Sequence, residues 1–456
     1  ELLELLEPSP ERVVPRCRHA AECGGCTWQH IAYPAQLRYK TRLVQALLRR
    51  SLGYQAPLVA PTLGLAPGPD GSPWGFRQKV AFAFGPGATI RSRRDDEAHE
   101  LVMGHFARGT HDVVPVDECP VHAESGNAVA FALRDELQRA RLPAAGDDLR
   151  GLLRHVLVRC SSDGREAVAM LVATRDDRRL RRPLRGLLAR RERPTGLMLN
   201  LHDRPGPFLV GRESLRVDGS GHVHETGLGP QFLVSPQSFF QTCVEAAAIL
   251  VRLVLAALPA DKGHHLLDLY AGSGLFALPL ALRGQRVTAV EESRRSTREA
   301  AHNARLNGLT EQRLRLVPSK VEEALPRLLA EPFDGVVLDP PRQGCPPAVL
   351  RLVFDQLRPP RVVHVSCNPQ ALAEELPAAL RAGYRVESLQ PVDMFPHTAH
   401  VEVVTLLVRE ERRPARPLSG PRPPGRGARR AGGNARTASG TAPGPRAAPP
   451  PGRRRS

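Results

Sequence analysis

Apolar residues are spaced in two ways along this chain, and the rhythm changes near residue 230. Beyond that point, short apolar runs alternate with amphipathic stretches of about 10–15 residues, the helical period. The runs are HHLLDL, RVTAVEES, RLRLVPS, FDGVVLDPP and RVVHVSC. A helix over 236–258 precedes them, and the stretches after them predict helices over 275–283, 294–307, 320–330, 347–357 and 370–382. This alternation predicts an α/β fold with a doubly wound parallel sheet. YRVESLQPVD and HVEVVTLLVRE follow without a helix between them and are expected to pair as a hairpin at one edge.

Before residue 230 the pattern is shorter and strand-like. FRQKVAFAF, ELVMGH, HDVVPVDE, LLRHVLVRC, EAVAMLVAT and GLMLNLH read as strands separated by Gly and polar clusters. Helices are expected over 34–53 and 124–140, giving a mixed, mostly antiparallel α+β region. The expected organisation is a cysteine segment over 1–30, a central α+β domain over 31–230, an α/β domain over 231–410 and a tail over 411–456.

Composition changes this picture in two places. No run of 18 apolar residues occurs, and the most apolar stretch, Ile249–Leu258, is interrupted by Arg252, so no membrane span is expected. The acidic start ELLELLEPSP lacks a signal layout and an initiator Met, which reads as a cytoplasmic protein with its native N-terminus missing. The net charge of +17 is concentrated in the tail, where twelve Arg and one Glu give +11 and leave +6 for the first 410 residues. That Pro/Gly/Ala/Arg-rich tail has too little apolar surface to offset its ordering entropy and is expected to be disordered. It is either an RNA-binding arm or a compositionally biased extension.

The candidate chemistry lies at the ends of the second set of strands. In DLYAGSGLF, Gly272 and Gly274 open a helix, and Glu291 closes the next strand about 20 residues on, where an acid suits ribose hydroxyls. A third glycine is absent, since Leu275-Phe276-Ala277 follow, which favours S-adenosylmethionine (SAM) over a dinucleotide. Asp339 stands before the stiff Pro340-Pro341 pair. Cys367 follows an apolar strand and precedes Asn368-Pro369, where backbone dipoles are expected to stabilise a nucleophilic thiolate. Glu402 enters an apolar strand, and burial there raises a carboxyl toward a base's working range. His397 and His400 form an H-x-x-H pair without further close ligands. Cys17, Cys23 and Cys26, with Cys119 in a Cys-Pro dipeptide, fit an iron–sulfur cluster or Zn²⁺, whereas Cys160, Cys243 and Cys345 read as structural. Arg77, Lys79 and Arg154 are candidate phosphate contacts.

The set C-x5-C-G-G-C, SPQSFFQ, DLYAGSG, DPPRQG, VSCNP and DMFPHTAHVE resembles the RNA 5-methyluridine methyltransferase family, in its iron–sulfur-containing branch that modifies 23S ribosomal RNA. The resemblance spans about residues 8–408. It implies a Rossmann-like SAM-dependent methyltransferase domain behind a smaller α+β iron–sulfur and RNA-binding domain. It implies SAM contacts at Gln241, Tyr270, Gly272, Leu275, Glu291 and Asp339. It implies Cys367 as nucleophile, Glu402 as base, and a 4Fe–4S cluster on Cys17, Cys23, Cys26 and Cys119. A single-stranded or loop uridine is the implied substrate of an expected monomer. The family's N-terminal RNA-binding barrel is absent, and residues 1–14 read as its last strand and linker. A transfer-RNA uridine methyltransferase and a non-catalytic RNA-binding iron–sulfur protein are the alternatives. A cytosine-C5 enzyme would want Pro-Cys where Asp339-Pro340-Pro341-Arg342 stands, and an amino-directed adenine enzyme an aromatic in place of Arg342.

Overall fold

The computed structural model describes residues 5–410 except 92–96, 147, 207 and 208. The expected disorder of 411–456 lies outside the described residues. After helix α1 (Tyr33–Leu52), the first sheet is built from β1 (Lys79–Arg91), β2 (Glu97–Phe106), β3 (Val113–Pro115), β4 (Leu153–Cys160), β5 (Ala167–Ala173), β6 (Gly196–Leu201) and β7 (Glu213–Gly219). Helices α2 (Glu124–Arg139) and α3 (Arg181–Leu188) interrupt it in sequence. Its order is β3-β2-β1-β4-β5-β6-β7, antiparallel except for the β5–β6 pair. Leu133 and Leu137 of α2 pack over β4 and β5, and Leu184 and Leu187 of α3, which packs on α2, join the same core. Sequence periodicity missed α3, β7 and the small ribbon β8 (Val223–Glu225) with β9 (Phe232–Val234).

The second sheet follows α4 (Val244–Ala257). It contains β10 (His265–Leu269), β11 (Arg286–Glu291), β12 (Leu314–Pro318), β13 (Gly335–Leu338), β14 (Arg361–Ser366), β15 (Tyr384–Val392) and β16 (Glu402–Arg409). The intervening helices are α5 (Ala277–Leu282), α6 (Arg294–Leu306), α7 (Val321–Leu328), α8 (Pro347–Arg351) and α9 (Pro369–Arg381). The order is β12-β11-β10-β13-β14-β16-β15, and only β16 runs against its neighbours. β10 and β13 are buried along their whole length, as strands covered on both faces must be, which explains their uninterrupted apolar runs. The hairpin edge is as expected from the sequence, with β16 inside it. The order reverses between β10 and β13, so a crevice opens there at the carboxyl ends of the strands.

One correction concerns α4, which begins at Val244 rather than 236. The main-chain carbonyls that a helix over 236–243 would need are taken from outside. Lys79 Nζ donates to Ser238 O (3.2 Å), Arg159 Nη2 to Phe240 O (3.2 Å) and Gln78 N to Thr242 O (2.7 Å).

α1 belongs in sequence to the first part of the chain but packs with α9 on the second sheet, burying Val44 and Leu48. The contact is fixed by a fully buried ion pair: Lys40 Nζ lies 2.5 Å from Asp393 Oδ1 and donates to Phe395 O at 3.0 Å. Desolvation pulls the lysine pKa down and pushes the aspartate up, while mutual attraction opposes both shifts. Removing one partner strands the other charge in the core. Lys40→Met is therefore expected to cost about 3–5 kcal/mol in urea unfolding. Lys40→Met with Asp393→Asn is expected to cost less, because no charge is left unpaired; equal losses would show that the pair is not what stabilises the contact.

Candidate active site

Cys367 lies between the end of β14 and the start of α9. Pro369 occupies the first turn of that helix, and the Asn368 side chain caps it by accepting from Gln370 N at 3.1 Å. Asn368 Nδ2 also donates to Arg342 O (2.9 Å), tying the cysteine turn to the DPPRQG loop. β16 runs antiparallel to β14 and pairs Val403 with Ser366. Extending this register by one step sets Glu402 opposite Cys367, and the two groups are within electrostatic reach. Glu402 is 3% exposed, and Asp339 follows the last residue of β13. Arg342, Cys367 and Asn368 line an open recess of ≈ 380 Å³ with Ala399 and His400, and Leu43 and Leu47 of α1 form its wall.

The electrostatics of this group correct the expectation of a resting thiolate. Burial pushes the Cys367 thiol up to about 11, and Glu402 and Asp339 add to the shift; Arg342 and a main-chain hydrogen bond oppose it. Burial raises Glu402 to about 8, helped by Asp339 and again opposed by Arg342. Burial raises Asp339 to about 7. Two carboxyl groups and desolvation outweigh the backbone dipoles, so the resting centre near neutrality holds a thiol beside a protonated Glu402.

The glycine turn behind β10 is shaped by Tyr270, Gly272 and Gly274, at φ +64°, +56° and +95°. At φ +95° any side chain on residue 274 would be strained, which favours glycine, and a Cβ there would also displace the end of the Leu278 side chain. Glu291 reaches back to this turn: Gly272 N donates to its Oε2 (2.9 Å) and Ser293 N to its Oε1 (2.7 Å). Leu275 is buried beneath the turn, and Asp268 is fully buried on β10, its carboxyl raised well above the ordinary range by burial and by Asp339. The expected cofactor residues Tyr270, Gly272, Leu275, Glu291 and Asp339 thus gather at the carboxyl ends of β10, β11 and β13. Gln241, half-buried, lies in the loop that Gln78, Lys79 and Arg159 clamp.

That clamp was invisible in the sequence. Lys79, a candidate phosphate contact or a solvated face in the sequence, is instead committed to Ser238 O, with its pKa lowered by burial to about 7. Arg154 likewise donates to His202 O (2.9 Å) and Arg204 O (2.8 Å). Arg77 turns toward the cysteine cavity. The partners are far apart in sequence, and no local pattern marks them.

Cys17, Cys23, Cys26 and Cys119 line one cavity with Arg77, His105 and His122. Gly25 N donates to Cys23 Sγ at 3.4 Å. Burial raises Cys17, Cys26 and Cys119, the last to about 12, with neighbouring thiols adding to each shift. His105 and His122 went unrecognised in the sequence; with Cys119 their ligand atoms lie within 4.8 Å of one another. The H-x-x-H pair is not a metal site of this kind. His397 is buried, accepts from Gln36 Nε2 (3.3 Å), donates from Nε2 to Pro73 O (3.1 Å) and stacks on Trp74 at 4.3 Å.

A sheet with this order, one inserted antiparallel strand, a glycine turn on its first strand and an acid closing the second is that of a SAM-dependent methyltransferase. The comparisons narrow the class. The family model described as tRNA (Uracil-5-)-methyltransferase matches residues 230–410. A protein of Gloeobacter violaceus described as an uncharacterized RNA methyltransferase is 34% identical over 90% of this chain and 86% of its own. A protein of Thermosynechococcus vestitus with the same description is 33% identical over 89% and 87%. The crystal structure of Pyrococcus abyssi tRNA (uracil-54, C5)-methyltransferase in complex with S-adenosyl-L-homocysteine superposes with a TM-score of 0.68 at 25% identity, covering 89% of this chain and 88% of that one. The chain belongs to the RNA uracil-5 methyltransferase family.

Glu402 gives a stability test. Its folded pKa of about 8 exceeds the ordinary 4.5, so folding favours its protonated form. That contribution is complete below pH 4.5 and is lost as pH rises through about 8. Glu402→Gln is therefore expected to gain on the parent protein by up to a few kcal/mol between pH 6 and pH 9 in parallel denaturation series, on the order of 1.4 kcal/mol for each tenfold difference in proton affinity between folded and unfolded chains. A gap independent of pH would exclude a buried, protonated Glu402.

Proposed function

We propose that this enzyme methylates C5 of a uridine in RNA through a transient bond between Cys367 Sγ and uracil C6. The observation that carries the reading is the β14–β16 register, which brings Cys367 and Glu402 together from distant parts of the chain. C5 of uracil is too weak a nucleophile to take a methyl group unaided. As the base enters the recess, the Cys367 thiol passes its proton to the Asp339 carboxylate, which has a pKa of about 7 and lies within electrostatic reach, leaving Glu402 to lose its own proton to solvent. The sulfur adds to C6, and the electrons of the 5,6 double bond shift toward C5 and the C4 oxygen. Bound at the glycine turn, SAM would supply an electrophilic methyl group to C5, its sulfonium C–S bond breaking to leave S-adenosylhomocysteine. Ionised Glu402 then removes the C5 proton, the C6–S bond breaks, and the 5,6 double bond re-forms. Asp339 and Gln241 orient the base, and Glu291 and the glycine turn hold the nucleoside end of the cofactor. The target uridine must leave any stack to reach the recess, which favours a single-stranded loop.

The four cysteine thiols fit a 4Fe–4S cluster. They surround one cavity, and an amide N–H on Cys23 Sγ and the nearby Arg77 suit thiolate sulfur. The cluster would add structural cross-links and one-electron chemistry there. We assign 23S ribosomal RNA as the substrate on the cysteine array and motif set, with the chain acting as a cytoplasmic monomer. Transfer RNA is the competing substrate, and the name of the Pyrococcus abyssi structure favours it. No helix among the described residues is long and apolar enough to cross a membrane.

Cys367→Ala is expected to lose all methylation while retaining RNA affinity, and substantial turnover would refute the nucleophile. Glu402→Gln is expected to accumulate an RNA–protein adduct visible on denaturing gels. In the parent enzyme, turnover is expected to rise with pH until about 8, where Glu402 ionises, and then flatten. Mapping 5-methyluridine in ribosomal and transfer RNA of a deletion strain separates the two substrates.

A further inference from the structure

Behind the DPPRQG loop lies a second cluster that the proposed reaction does not use. Cys345 ends this loop, His364 lies on β14 three residues before Cys367, and Glu375 lies on α9. They are 6%, 1% and 8% exposed, and one ligand atom from each lies within 4.8 Å of the other two. Glu375 Oε1 accepts the Cys345 amide proton at 2.6 Å, which leaves Oε2 free. Oε2 stands 3.3 Å from His364 Nε2, yet neither buried atom has a hydrogen-bond partner. The Tyr270 hydroxyl is buried and unpartnered too, within electrostatic reach of Cys345 and Glu375. Buried polar atoms without partners are rare, and several converging on one place call for an occupant.

Backbone shape keeps the place open. Gly344 has φ +82°, and a Cβ there would come within 2.1 Å of Glu375 Oε1. A side chain would push the carboxylate aside. The donor set is one thiol sulfur, one imidazole nitrogen and one carboxylate oxygen, a mixture that suits Zn²⁺ rather than an all-oxygen cation. Bonds of 2.0–2.3 Å around a tetrahedral ion put ligand atoms about 3.5 Å apart. The His364–Glu375 separation of 3.3 Å is already close to that spacing.

We propose that Cys345, His364 and Glu375 form a buried site for one divalent transition-metal ion, Zn²⁺ by its ligand chemistry. The ion fastens the loop carrying Asp339 and Arg342 to the strand and helix that flank Cys367. This site is separate from the cysteine cavity, which is lined by none of these three residues.

The test is metal analysis of the full chain purified with Zn²⁺ supplied, with Cys345→Ala and His364→Gln in parallel. About one Zn²⁺ per chain is expected in the parent protein and under about a tenth of that in either variant, with iron content unchanged. Co²⁺ substitution is expected to give a thiolate charge-transfer band that disappears in Cys345→Ala, and a chelator is expected to lower the melting temperature of the parent but not of that variant. Should His364→Gln fail to fold, Cys345→Ala alone decides, since it removes only a small side chain. Zn²⁺ absent from the parent, or Zn²⁺ content equal in parent and Cys345→Ala, would overturn the site; zinc that vanishes only when Cys23 or Cys119 is replaced places the ion in the cysteine cavity and overturns it as well.

Discussion

Acidic side chains buried with too few cations are the constraint on which this molecule depends. Asp268, Asp339 and Glu402 all lie at the carboxyl ends of the parallel strands with raised pKa values, and Arg342 is the cation that opposes the shifts of Cys367 and Glu402. Folding must tolerate these carboxyl groups largely as neutral acids. Burial, together with Glu402 and Asp339, keeps the Cys367 thiol protonated near neutrality. A thiol held protonated in this way is less open to oxidation than a thiolate would be.

The second dependence is geometric. Cys367 and Glu402 are 35 positions apart in sequence, yet they meet because β16 inserts between β14 and β15. The segment joining β15 to β16 delivers Glu402, and the N-terminal part of the chain holds it: Lys40 pairs with Asp393, Gln36 bonds both the main chain and the ring of His397, and Trp28 N donates to His397 O at 2.8 Å. The β1 side of the first sheet does the same for the loop carrying Gln241. These two segments are therefore braced by residues from the first part of the chain.

Much of this was legible in the sequence, and the physics explains which parts. Strands buried on both faces, such as VVL in β13 and RVVHVS in β14, leave short apolar runs whose length and flanking turns mark them as strands. The residues expected for cofactor and catalysis lie at strand ends, so locating the strands located most of them. Contacts that bridge distant segments left no such trace. Lys79 read as a solvated or phosphate-facing charge because nothing local announces its carbonyl acceptor 159 residues away. The start of α4 was misplaced for the same reason, since the carbonyls that prevent a helix are captured by β1 and Arg159. The thiol was misjudged because its pKa reflects two carboxyl groups that meet it only in the folded sheet.

The placement of the aromatic residues around His397 has an optical consequence. The chain contains two tryptophans, and both touch this histidine: Trp74 stacks on its ring, and Trp28 holds its carbonyl. Ultraviolet emission from the native protein therefore originates almost wholly at the junction between the cysteine segment and the segment that delivers Glu402. Stopped-flow fluorescence of the unlabelled enzyme would follow that junction in real time, without the background that scattered indoles usually impose.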